Sequence, residues 1–169
     1  HNFTVTTAET GNLYYFFPDN ANEQDIGAGY IPASNLCQEM MMSYDPIVQT
    51  SSKLVDPESN FSFSGDIALC NLASINLLKF LNDDGSFDIE AYKHAVQIMF
   101  IGQEIMVGYS EYPTAGITKN AKAFRQLGLG YANLGALLMA MGLPYDSDQG
   151  RNIAASLTSI MTGYAYETS

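Results

Sequence analysis

Three residues of different chemistry alternate along one short segment of the 169-residue chain. Asn35, Cys37 and Glu39 are an amide, a thiol and a carboxylate. In an extended segment these side chains would point to one face, about 7 Å apart from one to the next. A carboxylate can accept a proton, an amide can hold a hydroxyl group, and sulfur can act as a nucleophile, a metal ligand or a radical carrier. The same spacing also fits a half-buried strand in which Cys37 is a small apolar residue beside Met40.

A second thiol, Cys70, lies in the apolar stretch 67–72. It can be a packed core thiol or a redox partner close to Cys37, and the spacing does not choose between these two interpretations. The two histidines, His1 and His94, support neither a histidine-based zinc site nor a serine triad. We therefore name no metal ligand in this chain.

The first half of the chain must position these thiols. Its β-branched and aromatic residues, interrupted by turn formers, predict short strands and loops over residues 1–33. Residues 35–42 are predicted to be extended. A polar stretch rich in serine, proline and aspartate predicts a long connection over 44–64, and the apolar residues 67–72 follow it.

The second half has the pattern of helices. Apolar residues at three- and four-residue spacings predict one long amphipathic helix over 88–109. Shorter helices are predicted over 118–125 and 131–142. A last helix follows, for which Asp146 and Gln149 have the spacing of a reciprocal capping box.

Two familiar binding motifs fail on inspection. The run 128–133 has Asn133 where a dinucleotide-binding fingerprint needs its third glycine, so we interpret its glycines as a turn with close packing. A calcium loop with Gly85 at its sixth position would place Phe80 at the first ligand position. Calcium requires an oxygen ligand there, which excludes that site.

Composition narrows the class of protein. A chain of this length and 47% hydrophobic content can bury roughly 68–70% of its unfolded surface in a core. A net charge of −11 argues against nucleic-acid and anionic membrane partners, and no apolar run reaches the roughly 18 residues of a membrane helix. Two cysteines fit a reducing, cytoplasmic environment. Because the chain starts at His1 and stops within a predicted helix, we expect it to be a piece of something larger.

Several segments, taken together and in order, resemble the large catalytic subunit of ribonucleotide reductases. The resemblance runs from about residue 10 to the end of the chain. The segments that carry it are Ser-Asn-Leu-Cys-Gln-Glu at 34–39, Ala-Leu-Cys-Asn-Leu-Ala-Ser-Ile-Asn-Leu at 68–77, Tyr-Pro-Thr at 112–114, and Arg-Gln-Leu-Gly-Leu-Gly at 125–130 through Pro-Tyr-Asp-Ser at 144–147.

The resemblance implies an α/β fold, as part of the ten-stranded α/β barrel of that family. The whole chain, 1–169, would be one incomplete piece of the barrel domain. Residues 1–80 would supply strands and the active-site loop, and residues 81–169 would be mainly helical. The Asn-Leu-Cys-x-Glu segment would lie at the tip of a loop in the centre of the barrel.

The resemblance also implies radical reduction of ribonucleotides to deoxyribonucleotides. Cys37 matches the cysteine that becomes a thiyl radical and removes the 3′ hydrogen of the ribose. Glu39 matches the carboxylate that accepts the 3′-hydroxyl proton, and Asn35 matches an amide in the same network. Cys70 matches one of two thiols that are oxidised to a disulfide as the 2′-hydroxyl leaves as water. A thiyl radical must be kept dry and close to one C–H bond.

The expected ligands and partners follow from the same resemblance. Ser34, Leu36 and Leu72 are expected to contact the substrate, a ribonucleoside di- or triphosphate. An external dithiol such as thioredoxin would reduce the disulfide. The mechanism needs at least three cysteines and this sequence has two. We therefore expect the chain to be inactive alone and to require the remaining segments of the same catalytic subunit.

The radical source distinguishes subfamilies. The run 123–135 looks most like the adenosylcobalamin-dependent enzymes, whereas residues 34–37 also resemble forms that use a separate metal-containing subunit. We favour adenosylcobalamin, and we assign no cobalamin-binding or radical-transfer residue. The alternative from another class is an acidic, non-catalytic interaction module in which both cysteines are structural.

Overall fold

The computed structural model describes residues 2–12, 14–24, 30–31, 33–41 and 69–169. The chain folds as two compact units. The first comprises residues 1–69 and 111–124, and the second comprises residues 70–110 and 125–169. The predicted polar connection over 44–64 lies outside the described residues.

The described part of the chain contains helices and two short strands. In chain order these are α1 (Asn2–Thr10), α2 (Pro18–Gln24), β1 (Asn71–Asn76), a 3-10 helix (Leu77–Phe80), α3 (Ile89–Tyr109), α4 (Ala115–Phe124), β2 (Leu127–Ala132), α5 (Leu134–Ala140) and α6 (Asp148–Thr168). Among these helices, none combines the length and apolar character that a membrane span needs.

Helices α1 and α2 belong to the first unit, and they show that the prediction of short strands and loops over 1–33 is wrong at residues 2–10 and 18–24. Helix α2 starts with Pro18, whose fixed φ suits the first helical position, and Asp19 places a carboxylate in the first turn. In α1, the hydroxyl groups of Thr7 and Thr10 donate to carbonyl oxygens four residues earlier, at 3.0 and 2.7 Å. Threonine thereby satisfies its hydroxyl group inside a helix despite its preference for strands.

Strands β1 and β2 of the second unit pair in parallel, with Asn71 opposite Leu127 and Asn76 opposite Ala132. Two parallel strands require a crossover connection. Helix α3 is part of that crossover and packs against both strands and against α6. The prediction that the glycines of 128–130 form a turn is wrong, since they lie within β2.

Helix α3 confirms the predicted long helix over 88–109. The side chain of Asp88 caps its start by accepting a hydrogen bond from the Ala91 N–H at 2.9 Å. Four side chains of α3 are buried at spacings of four and seven residues, which places them on one face. They are Tyr92, Val96, Gln103 and Val107.

An apolar core holds the second unit together. Tyr92 is fully buried, and its ring centroid lies 5.4 Å from that of Phe80 and 5.6 Å from that of Phe87, both in edge-on geometry. The buried members of this core are Ile75, Leu77, Tyr92, Val96, Leu137, Leu157 and Met161. The core therefore joins β1 and the 3-10 helix to α3, α5 and α6.

The last two helices have different ends from those predicted. Helix α5 is shorter than predicted, and Gly142 follows it with a φ of 71°. Helix α6 is capped by Ser147, whose hydroxyl oxygen accepts a hydrogen bond from the Gly150 N–H at 3.0 Å. Asp146 instead pairs with Arg151 at 2.6 Å, so the predicted Asp146–Gln149 capping box is wrong. A hydroxyl group one residue closer to the helix has the better capping position.

Candidate functional site

Cys37 lies in a tight turn of the first unit. The Gln38 N–H donates to the carbonyl oxygen of Asn35 at 3.1 Å, and Gln38 has a φ of 62°. Ser34 and Met41 close the loop through an isolated antiparallel bridge. The prediction of an extended segment over 35–42 is therefore wrong at residues 35–38, which reverse the chain, and residue 42 lies outside the described residues. Simple alternation does not place the side chains of this loop on one face.

Two polar side chains stabilise the loop by hydrogen bonds inside it. The Oδ1 atom of Asn35 accepts a hydrogen bond from the Met40 N–H at 3.0 Å. The hydroxyl group of Ser34 donates to the Met40 carbonyl oxygen at 2.8 Å and to Asn35 Oδ1 at 3.2 Å. Asparagine and serine side chains compete in this way with strand pairing. The substrate contact expected of Ser34 and the network expected of Asn35 stay predictions.

The tip of the loop is open in the described residues. Cys37 and Glu39 are exposed, and the side chain of Leu36 is 81% exposed. The part of the chain that is described does not by itself form the water-poor chamber that the resemblance implies. The substrate contact expected of Leu36 stays a prediction.

A cavity of about 460 Å³ adjoins the same loop. Gln38 and Met41 line it on the loop side, and aromatic residues such as Tyr15 and Phe17 line it on the side of α2. Small-molecule sites typically have volumes of roughly 300–1,000 Å³. The loop that carries Cys37 therefore borders a space of ligand size.

Cys70 lies directly before β1 in the second unit and is half-buried. Its sulfur donates to the carbonyl oxygen of Asn71 at 3.5 Å. A Cβ atom added at Gly128 would lie 3.1 Å from this sulfur and 2.4 Å from Cδ2 of Leu72. The close packing predicted for these glycines is thus found at Gly128. Leu72 is 61% exposed, and its expected substrate contact stays a prediction.

A buried amide beside Cys70 was missed by sequence reasoning. Gln103 is only 3% exposed, and its Nε2 atom donates to the carbonyl oxygens of Asn71 and Gly128 at 2.9 and 2.8 Å. The signal was available in the sequence. Gln103 lies on the apolar stripe of α3, seven residues after Val96 and four before Val107, where a polar residue is out of pattern.

Glu104, the residue after Gln103, binds Arg125 near the start of β2. Arg125 donates from Nε to the Glu104 carboxylate at 2.6 Å and from a terminal nitrogen to the Glu104 carbonyl oxygen at 3.0 Å. Arg125 has a φ of 50°, a left-handed conformation that is unfavourable for a side chain with a Cβ atom. These two hydrogen bonds compensate for that strain and attach the chain entering β2 to α3.

Cys37 belongs to the first unit and Cys70 to the second. The interpretation of Cys70 as a redox partner close to Cys37 stays a prediction. Within the described ranges, no group of three or more His, Cys, Asp or Glu side chains is placed to hold a metal ion.

Comparison with known proteins identifies relatives of the chain. A family model described as "Ribonucleotide reductase, barrel domain" matches residues 1–169. A "Vitamin B12-dependent ribonucleotide reductase" of Rhodopirellula baltica is 52% identical over 114 residues, covering 68% of this chain and 11% of the relative. Its namesake in Streptomyces clavuligerus is 52% identical over 108 residues, covering 62% and 11%. A "Ribonucleoside-diphosphate reductase large chain" of Encephalitozoon cuniculi is 28% identical over 165 residues, covering 95% and 19%. The chain thus spans 11–19% of the length of these relatives. The match to the barrel-domain family confirms the predicted α/β class.

Proposed function

The chain belongs to the ribonucleotide reductase barrel-domain family, and from this we propose that it is a central segment of a catalytic subunit that reduces ribonucleotides to deoxyribonucleotides. The observation that carries the proposal is the family match over the full 169 residues. The turn that presents an exposed Cys37 two residues before Glu39 supports it. The alternative, an acidic interaction module with structural cysteines, explains neither observation.

Cys37 and Glu39 would carry the first chemical step. A thiyl radical on Cys37 removes the 3′ hydrogen atom of the ribose, which forms an S–H bond and leaves a carbon radical. Glu39 accepts the proton of the 3′-hydroxyl group as general base. The cavity beside the loop has the size for a bound nucleotide, and the remaining segments of the polypeptide would close over the exposed thiol to exclude water.

Cys70 would supply one of the two reducing thiols. The C2′–OH bond breaks, and the hydroxyl group leaves as water. A C2′–H bond replaces it, while two thiols lose two electrons and two protons and form a disulfide. The 3′ hydrogen then returns from Cys37 to the carbon, and the proton held by Glu39 returns to the 3′ oxygen. Because the chain holds only two cysteines, the second reducing thiol comes from another segment, and an external dithiol such as thioredoxin would regenerate the pair.

The relatives' names lead us to propose adenosylcobalamin as the radical source. The described residues fit this role as the acceptor of the radical, since the thiol of Cys37 is exposed at the tip of a turn and can be approached. When bound, adenosylcobalamin supplies the radical equivalent that removes the hydrogen atom from that thiol. We name no residue of this chain for its binding.

Replacement of Cys37 by serine in the complete polypeptide tests the proposal. An O–H bond is a poor substitute for S–H in hydrogen-atom transfer, so Cys37→Ser should form no deoxynucleotide while still binding nucleotide. Turnover is measured as deoxynucleotide formed, and binding is measured by equilibrium dialysis. Turnover that survives the substitution would refute the proposal.

Replacement of Glu39 by glutamine tests the general base separately. The expected result is unchanged nucleotide binding and a chemical step slower by about 10²–10⁴. Glu9→Gln is the matched control, because it removes the same charge from an exposed position on α1. Equal rates for the two variants would exclude Glu39 as the base.

A further inference from the structure

Gln103 joins the two strands at one end of the sheet. It reaches from α3 and donates from one nitrogen to the carbonyl oxygens of Asn71 in β1 and Gly128 in β2. Its other polar atom, Oε1, is buried without a hydrogen-bond partner in the described part of the chain. An unsatisfied buried oxygen costs stability, and an apolar side chain of the same size would avoid that cost. The bridge between the two carbonyl groups is therefore the feature that accounts for an amide at this position.

The sulfur of Cys70 shares both neighbours of this amide. The carbonyl oxygen of Asn71 accepts hydrogen bonds from Gln103 and from the Cys70 thiol. The carbonyl oxygen of Gly128 accepts a hydrogen bond from Gln103. A Cβ atom at Gly128 would lie only 3.1 Å from the sulfur, so the absence of a side chain there permits the close approach of the thiol to β2. A movement of either strand end would thus move the sulfur as well.

We infer that Gln103 is a positioning residue for the thiol of Cys70, acting through the backbone of Asn71 and Gly128. The consequence for catalysis rests on the proposed function, in which Cys70 forms a disulfide during reduction. Disulfide formation requires the two Cα atoms to lie within roughly 4.4–6.8 Å in a defined orientation. A misplacement of about 1 Å can slow such a step on the order of 100-fold.

The opposite end of the sheet provides a matched control. There the side-chain nitrogen of Asn133 donates to Oδ1 of Asn76 at 2.9 Å, so a second amide joins the two strands. Strand β1 has six residues, which places the two bridges roughly 16 Å apart. Asn133 has a φ of 67°, which glycine adopts without strain. Asn133→Gly therefore removes a cross-strand amide bond far from Cys70.

The test compares Gln103→Met with Asn133→Gly in the complete, reduced polypeptide. The rate at which iodoacetamide alkylates Cys70 is followed by mass spectrometry of the peptide that contains it. We expect Gln103→Met, which removes both hydrogen bonds, to raise this rate at least about tenfold, since the net loss of even one hydrogen bond has an effect of that order. Asn133→Gly should change it less than threefold. In turnover, Gln103→Met should lower kcat about tenfold and leave KM for the nucleotide within twofold.

Equal alkylation rates in Gln103→Met and the wild type, or an equal increase in Asn133→Gly, would overturn the inference. If Gln103→Met loses hydrogen-exchange protection throughout α3, Gln103→Leu decides, since leucine is also apolar and has no donor. Cys70→Ser separates this inference from the proposed function. If Cys70→Ser still turns over, the redox role of Cys70 fails, and the alkylation rates still decide whether Gln103 positions the sulfur.

Discussion

Replacement of Gly128 by alanine should displace the sulfur of Cys70 and open the sheet at its β2 strand. The new Cβ atom would lie 2.4 Å from Cδ2 of Leu72 and 3.1 Å from the Cys70 sulfur. Carbon atoms pack best at about 3.5–4.0 Å, so both neighbours must move. Leu72 is 61% exposed and can rotate away, whereas Cys70 is half-buried beside the strand.

The expected cost is about 1 kcal/mol, because overpacking typically costs about 1–3 kcal/mol and the leucine can relax. Gly130→Ala is the matched control. Gly130 lies on the same strand and the same face, and a Cβ atom there meets no heavy atom of the described residues within 4 Å. Its substitution should change stability by less than about 0.5 kcal/mol.

Native-state hydrogen exchange of the complete polypeptide measures this difference directly. The free energies of opening are read from the amide groups of β1 and β2, so that the result reports this sheet alone. The account predicts a loss at Gly128→Ala that exceeds the change at Gly130→Ala by about 1 kcal/mol. Equal values for the two variants would refute the packing argument.

Two further predictions concern the core and the last helix. Burial, with a smaller contribution from Tyr131, raises the pKa of Tyr92 to about 12. Below pH about 10 the contribution of this shift to stability is complete. Between pH about 10 and 12 a loss on the order of 2–3 kcal/mol follows, because only the unfolded chain ionises there. Unfolding measured against pH should show a smaller alkaline loss in Tyr92→Phe, and identical slopes would contradict the pKa. Ser147→Ala should destabilise α6 by about 1 kcal/mol, because the helix loses its N-cap hydrogen bond. Asp146→Asn is the control, since it breaks only an exposed ion pair, and it should change the stability of α6 by less than about 0.5 kcal/mol. Hydrogen exchange of the α6 amide groups measures both values.

Helix α3 was predictable because its local and long-range signals agree. Its apolar stripe has the helical period, and Asp88 provides a cap. Strand β2 was not predictable, because its two glycines signal a turn and only pairing with β1 makes them a strand. Helix α1 has no buried residue, and nothing in its sequence pattern accounts for it. For α2, Pro18 followed by Asp19 was an available start signal.

The candidate site was also predictable only in part. The residue types of Cys37 and Glu39 were readable from the sequence, but their presentation on a turn was not. That turn depends on the side chain of Asn35 bonding to Met40 instead of extending the strand. The surroundings of Cys70 could not be predicted from the sequence either. Gly128 is distant in sequence and lies beside the thiol only because β1 and β2 pair in parallel.

The hydrogen transfer assigned to Cys37 is tested most directly with a nucleotide deuterated at the ribose 3′ carbon. In the complete polypeptide, the account predicts slower deoxynucleotide formation from the deuterated nucleotide than from the ordinary one. It also predicts no deoxynucleotide from either nucleotide in Cys37→Ser. Equal rates for the two nucleotides, or turnover that survives in Cys37→Ser, would contradict the assignment of this hydrogen transfer to Cys37.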